Sequence, residues 1–431
     1  MPLPFPSSTP RSLCGLGALA LLGGFAGPAS AEFLEDGSAR LEARTLYFNR
    51  DFRDGASSNP QGASKREETA QGFILDVRSG FTEGPLGVGV DALGMLGVKL
   101  DSSPADSNSG LLPSSGHDPR HSADQYAKAG VAGKLRFSRT QLRYGAMLPD
   151  MPLLKYNDGR LLPNMFHGAQ LASEEIRDLK FSATRLERYT ARDSSDAQDI
   201  RLNCKNKRYA CDTTGNRFDA YQLDYKVSDD LLLQYAQGGL ENVYRQRFVG
   251  LLGKRALGGG VASADLRWFD SDDDGAARAG EIDNRALSLL LAYARGGHTF
   301  SAGWQRMSGD SSMPYLDGSN PYVANYVQVN DFANAEERSW QLRYDFDLRS
   351  VGVPGLSLMA RYLNGDHIRL ASGGEGKEWE RDLEARYVVQ TGTFKGLSLR
   401  LRNATYRTDY EQWARDVDEV RLIASYNLSI F

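Results

Sequence analysis

Cysteine is nearly absent. The 431 residues include three, Cys14, Cys204 and Cys211, which excludes a cysteine-rich zinc module and a disulfide-built scaffold. Histidine is almost as scarce. The five present, His117, His121, His167, His298 and His367, form no H-E-x-x-H array, and no G-x-S-x-G elbow occurs. No enzyme and no cofactor are therefore expected, and a hydrolase with its site at an outer rim is the remaining catalytic alternative. Positive charge is not in excess either: 51 Lys and Arg against 55 Asp and Glu leave a net charge of −4, which argues against nucleic acid as a partner. Beyond the first 31 residues no apolar run is long enough to cross a bilayer as a helix.

What the chain does have is alternation. The stretch from Val420 reads V-R-L-I-A-S-Y-N-L-S-I-F. Val420, Leu422, Ala424, Tyr426, Leu428 and Ile430 share one face; Arg421, Ser425, Asn427 and Ser429 share the other. Segments of about ten residues with this period of two recur throughout, which is the pattern of a transmembrane β-barrel with lipid outside and water inside. A mean hydropathy of −0.45 fits, because only alternate residues meet lipid and the loops are polar. Twenty Tyr and 18 Phe suit aromatic girdles, and 45 Gly with 16 Pro suit many turns.

Residues 1–31 read as a cleaved signal peptide. Arg11 is the only charge, Leu13 to Ala26 is apolar, and Ala29-Ser30-Ala31 is an A-x-A cleavage site. A membrane anchor is the alternative. The barrel domain is then 32–431, exported to the bacterial outer membrane. Cys204 and Cys211, in C-K-N-K-R-Y-A-C, are expected to form a disulfide in an oxidising compartment; two free thiols are the alternative.

Alternation gives seventeen strands. Long loops must all fall on one side and short joints on the other, and this parity breaks between residues 148 and 179. A further strand at Met165–Ser173 repairs it. The expectation is an all-β fold, an antiparallel barrel of eighteen strands. Its third outer loop, 149–164, carries apolar pairs that suggest it folds into the lumen. Nine basic residues take the inward phase: Lys134, Arg136, Arg143, Arg343, Arg361, Arg386, Arg400, Arg402 and Arg421. Arg400 and Arg402 alternate with Leu397, Leu399 and Leu401. A column of guanidinium groups offers a carboxylate successive bidentate stops. The competing reading pairs these arginines with lumenal acids such as Asp345 or Glu384.

Several stretches resemble the OprD-type family of substrate-specific outer-membrane porins: W-Q-R-M-S-G-D-S-S-M-P-Y-L-D-G-S-N-P-Y from Trp304, G-K-E-W-E-R-D from Gly376, L-R-L-R-N-A-T-Y-R from Leu399, K-L-R-F-S-R-T-Q-L-R-Y-G from Lys134, D-G-R-L-L-P from Asp158 and N-V-Y-R-Q-R-F-V-G-L from Asn242. The resemblance implies an eighteen-stranded barrel whose third and seventh outer loops fold inward to form an eyelet. It also implies passive uptake of small carboxylates, either amino acids or aromatic and cyclic acids, along a basic ladder. It makes Asp310, Ser311, Tyr315 and Asp317 of the seventh loop, with Tyr156, Asp158 and Arg160 of the third, candidate solute contacts. A general or structural barrel is the alternative function. Expected partners are outer-membrane lipid and lipopolysaccharide and the barrel-insertion machinery, with a monomeric or homotrimeric state open. Asp270, Asp272, Asp274, Gly275 and Glu281 match a calcium-loop spacing, but strand patterns flank them, and an acidic outer loop is the plainer account.

Overall fold

The computed structural model describes residues 36–53, 64–118, 120–370, 372–410 and 415–431. The proposed signal peptide lies outside them. Eighteen antiparallel strands close on themselves: β1 Ser38–Phe52, β2 Lys65–Arg78, β3 Leu86–Ser102, β4 Gln125–Phe137, β5 Thr140–Met147, β6 Met165–Ser173, β7 Leu179–Thr190, β8 Phe218–Ser228, β9 Leu231–Leu240, β10 Tyr244–Leu257, β11 Gly260–Asp273, β12 Asp283–Arg295, β13 His298–Ser308, β14 Arg338–Asp347, β15 Leu356–Arg369, β16 Glu375–Val388, β17 Ser398–Thr408 and β18 Val417–Ser429. Closure is made by β18 on β1, in a ladder from Arg40↔Ser429 to Phe52↔Val417. This removes the sheet edges, as lipid requires. The parity argument locates β6 correctly: Met165–Ser173 pairs with β5 and β7.

Alternation sets the faces. In β18 Leu422 and Leu428, with Ile430 just beyond it, are exposed on the outside while Glu419 and Arg421 are buried inside. Several strands extend further at the long-loop end than hydropathy indicates. β2 begins at Lys65, where K-R-E-E pairs with the end of β1 through Arg66↔Arg50 and Lys65↔Asp51. Above the lipid both faces are wet, so the hydrophobic alternation fades while the hydrogen-bond ladder continues.

The long-loop half of the barrel is filled by loops rather than open. Loop 2 (103–124), loop 3 (148–164), loop 4 (191–217) and loop 7 (309–337) all contribute buried apolar side chains. Leu111 and Leu112 of loop 2 join Leu161 and Leu162 of loop 3 against Leu46, Phe48, Ala70 and Met95 of the wall. Leu154 of loop 3, Ile200 and Leu202 of loop 4, and Met313, Leu316 and Val323 of loop 7 pack against Phe218, Phe248 and Phe269. Gly72 allows the first contact, since a Cβ there would lie 3.1 Å from Leu161 and Leu162 carbons. The inward folding expected for loops 3 and 7 is present, and loops 2 and 4 share it. Loops 3 and 7 are joined by a short ladder, Tyr156↔Ser319 and Lys155↔Asn320.

Candidate functional site: the lumenal charge lining

The register brings six of the nine basic residues together in pairs across the wall. Arg343 stands opposite Arg361, Arg386 opposite Arg400, and Arg402 opposite Arg421. Arg421 in turn stands opposite Phe48 of β1 across the closure. Lys134 and Arg143 are also opposite one another, but on β4 and β5 they form a separate group.

Acids accompany most of these bases. Arg343 lies 2.7 Å from Asp345, Arg361 2.5 Å from Asp382, and Arg400 and Arg402 share Glu384 at 3.4 and 3.1 Å. Lys134 and Arg143 share the buried Asp91 at 2.8 and 3.3 Å. Among the described residues Arg386 reaches only the Ser398 hydroxyl, and Arg136 lies over the Phe81 ring, 4.5 Å from its centroid. The lining therefore alternates in sign.

Glu384 was read from the sequence as a lumenal counter-ion, but the rest of its column went unread. Glu378, Glu380, Asp382 and Glu384 occupy successive inward positions of β16. The lower two face arginines. The upper two hold loop 7: Glu380 accepts the Val329 and Asn330 N–H groups at 2.8 and 2.9 Å, and Glu378 accepts from the Asn330 amide at 2.5 Å, the Tyr406 hydroxyl at 2.6 Å and the Tyr410 hydroxyl. The spacing E-W-E-R-D-L-E displays this column, with Trp379 and Leu383 on the lipid face.

Arg421 ties loops 3 and 7 to the wall. It pairs with Glu419 at 2.5 Å and donates to the carbonyls of Gly159 in loop 3 (3.0 Å) and Gln328 in loop 7 (3.2 Å). The loop candidates divide. Asp158 forms a two-pronged pair with Arg44 at 2.6 and 3.0 Å. Asp317 accepts from the Tyr189 hydroxyl at 2.9 Å and lines a cavity. Tyr156 is half-buried and takes part in the loop 3 to loop 7 ladder. Asp310 stands at the rim with Arg369, 2.5 Å away. Ser311 exchanges hydrogen bonds with the Asp283 backbone, and Tyr315 is buried with its hydroxyl donating to Asp331 at 2.6 Å. Ser311 and Tyr315 thus anchor loop 7, and Asp310 is an exposed acid at the rim.

Arginines from the wall and from loop 3 gather around Phe48. Arg160 of loop 3 lies over its ring at 4.5 Å, and Arg50 and Arg421 each approach it at 5.6 Å. Burial, and then the Arg421 charge beside it, push the Arg160 guanidinium well below its ordinary value; its charge is a cost that an anion would offset. Beside it opens a cavity of about 520 Å³ lined by Arg50, Arg66, Arg160, Arg192, Arg201 and Asp317 among others. Arg50 is held by Glu419 at 2.5 Å, and Arg201 donates to the Gln198 side chain. The Arg192 guanidinium has no hydrogen-bond or ion-pair partner among the described residues. Arg160 is a candidate read from the sequence, whereas Arg44, Arg50, Arg192 and Arg201 were missed there. Arg44 and Arg50 lie in phase with Phe48 and could have been found by alternation; the loop arginines carry no periodic signal.

Cys204 and Cys211 are disulfide-bonded. The ring presents Arg208 to Asp331 of loop 7 through two 2.7 Å hydrogen bonds, and Tyr209 to the Ser312 carbonyl. Of the 270–281 carboxylates, Asp270 pairs with Arg247 and Arg285, Asp272 pairs with Arg245, and Asp274 accepts from the Asn242 N–H. Among the described residues no group of three or more metal-ligating side chains could hold an ion.

Comparison with known proteins places this architecture. The chain is 38% identical over 402 residues to the porin-like protein GalP of Pseudomonas putida, covering 92% of this chain and 93% of that one. It is 74% identical to OccK10 (OpdN) of Pseudomonas aeruginosa, whose crystal structure superposes with a TM-score of 0.81, covering 92% of this chain and all of that one. OpdK of the same organism, crystallised with vanillate, is 42% identical with a TM-score of 0.85, over 92% of this chain and all of that one. The model of the family described as "outer membrane porin, OprD family" matches residues 31–430. The chain belongs to the OprD family of outer-membrane porins: it is a channel of the bacterial outer membrane and not an enzyme.

Proposed function

We propose that this porin passes small carboxylate-bearing solutes, with the Arg192 side of the cavity as their first stop and the inward arginines of β14–β18 as the path below. The observation that carries this reading is the unpartnered Arg192 guanidinium in a cavity that also holds Arg50, Arg66, Arg160 and Arg201. A free guanidinium accepts a carboxylate with two parallel hydrogen bonds. Asp317 on the same cavity wall gives a cationic group on the solute a counter-charge. Nearer the short turns Arg400 and Arg402 compete for one carboxylate, Glu384, so two positive groups meet one negative group. Several modest stops of this kind favour release as well as entry.

Lys134, Arg136 and Arg143 form a secondary basic group near the short-turn exit, and Arg421 is assigned to positioning the eyelet loops. An aromatic carboxylate is the favoured solute class, since vanillate occupies the OpdK crystal and the cavity is large enough for one ring with its substituents. The reading is tested by liposome uptake with aromatic carboxylates, amino acids and neutral sugars of similar size. Carboxylates should enter several-fold faster than sugars; equal rates would make the barrel a general pore.

A further inference from the structure

On the lipid side of the barrel, near the long-loop end, charged side chains form a belt above the apolar band. From β7 to β12 this belt is neutralised in place. Arg185 and Arg217 pair with Asp219, Arg245 with Asp272, Arg247 with Asp270, and Arg285 with Asp270 and Asp283. At β13 and β14 the pattern stops. Arg306 and Arg338 are directly opposite one another in the ladder, and both are exposed. Neither has a hydrogen-bond, ion-pair or ring partner among the described residues. The nearest acid in register, Asp366 on β15, stands opposite Arg338 but accepts from His367 Nδ1 at 2.6 Å.

Like charges directly opposed across a ladder are destabilising by themselves. Their height on the wall matters. One step down each strand stand Trp304 and Trp340, also opposite one another and each 42% exposed on the lipid side. Trp340 continues the girdle through Tyr362 at 5.7 Å to Trp379 at 5.9 Å from Tyr362. Below them come Ala302, Leu342, Phe300 and Tyr344. Tryptophan marks the membrane–water boundary, so the two guanidinium groups sit where the outer leaflet presents its phosphates.

We propose that Arg306 and Arg338 form a binding site for a phosphate of lipopolysaccharide. Two guanidinium forks a ladder step apart can share one phosphate's oxygens through charge-assisted hydrogen bonds. The Trp304–Trp340 surface beneath offers the acyl chains a flat apolar bed. The site is independent of what passes through the pore.

The test titrates the folded full barrel in detergent with bis-phosphorylated lipid A and with the same lipid after enzymatic removal of its phosphates, read by native mass spectrometry. Wild type should bind the phosphorylated lipid about tenfold more tightly, allowing for solvent screening at an exposed site. R306Q/R338Q should abolish that preference, whereas R185Q/R217Q, which removes equal charge from the neutralised part of the belt, should keep it. R306K/R338K retains the charge without the fork and should keep a reduced preference, which guards against a glutamine variant that does not assemble. Equal binding of the two lipids by wild type overturns the proposal. So does a preference that survives in R306Q/R338Q, or one lost equally in R185Q/R217Q.

Discussion

Arg208, on the disulfide-closed hairpin of loop 4, grips Asp331 of loop 7 through two 2.7 Å hydrogen bonds, and both side chains are buried. The arrangement inserts a charge from one inward-folded loop into another. Burial alone would raise the Asp331 carboxyl; the Arg208 guanidinium, with Lys205, outweighs it and holds the group well below the usual carboxylate range. A depressed carboxyl contributes stability above its ordinary range and loses it only as pH falls through the depressed value. D331N should therefore cost about 3–5 kcal/mol of loop anchoring, the penalty for stranding a buried charge, and cost it equally at about pH 5 and pH 7. Single-channel recording checks this. The variant should show larger, noisier open currents at both values.

Glu337, at the other end of loop 7, should behave in the opposite way. Burial first, then the Glu378 carboxylate beside it, raise its carboxyl well above the ordinary range. Such a group favours the folded state below the unfolded carboxyl's titration range, and that advantage is lost as pH rises toward the raised value. Glu337 accepts from the Asn334 N–H at 3.0 Å and the Asn334 side-chain amide at 2.8 Å. E337Q keeps an acceptor for Asn334 and adds a donor toward Glu378. It should stabilise the barrel at neutral pH by about 1 kcal/mol, one net hydrogen bond. The gel-mobility melting temperature should rise at pH 7, and the gain over wild type should shrink as pH is lowered toward 4 (roughly the ordinary carboxyl range).

The disulfide at Cys204 and Cys211 should leave no thiol for a maleimide in the folded barrel without reductant. C204S/C211S removes a short closed loop whose entropy is worth about 2–3 kcal/mol. The barrel wall does not depend on it, so the variant should still assemble. The Arg208 hairpin should loosen, and open-state noise should approach that of D331N.

Arg400 and Arg402 share Glu384 at 3.4 and 3.1 Å, which makes two substitutions informative together. R400A/R402A should reduce carboxylate flux in liposomes more than flux of a neutral sugar, because it deletes two cations and unmasks one anion. E384Q should raise carboxylate flux. Heat-modifiable gel mobility controls for folding. If both variants carry carboxylates at the wild-type rate, this part of the wall is structural only.

The barrel itself was legible because lipid imposes a period of two on every spanning strand. β6 has weak alternation, yet the parity of loop lengths located it. Inward arginines such as Arg400 and Arg402 were legible for the same reason. The acids that answer them were equally in phase: Asp345 and Glu384 were read as counter-ions, while Glu378, Glu380 and Asp382, on the same face as Glu384, were not. The interior of loops 2, 4 and 7 was not legible. Tyr315 looked like a lumenal hydroxyl, but it is buried on Asp331, a partner sixteen residues away that no periodicity predicts. Arg160 and Arg192 depend on where irregular backbone comes to rest against Phe48 and the wall, which non-local packing decides.

Arg192 provides the most direct test of the central claim that free lumenal guanidinium groups carry the solute's carboxylate. The measurement is the ratio of flux of an aromatic carboxylate to flux of its neutral amide, in liposomes containing wild type or R192Q. The two solutes share size and shape, so the ratio isolates charge recognition. A contact of ~1.5 kcal/mol after screening corresponds to about tenfold. The account predicts a wild-type ratio well above one that falls several-fold in R192Q, with amide flux unchanged. A ratio that is the same in both proteins would contradict it.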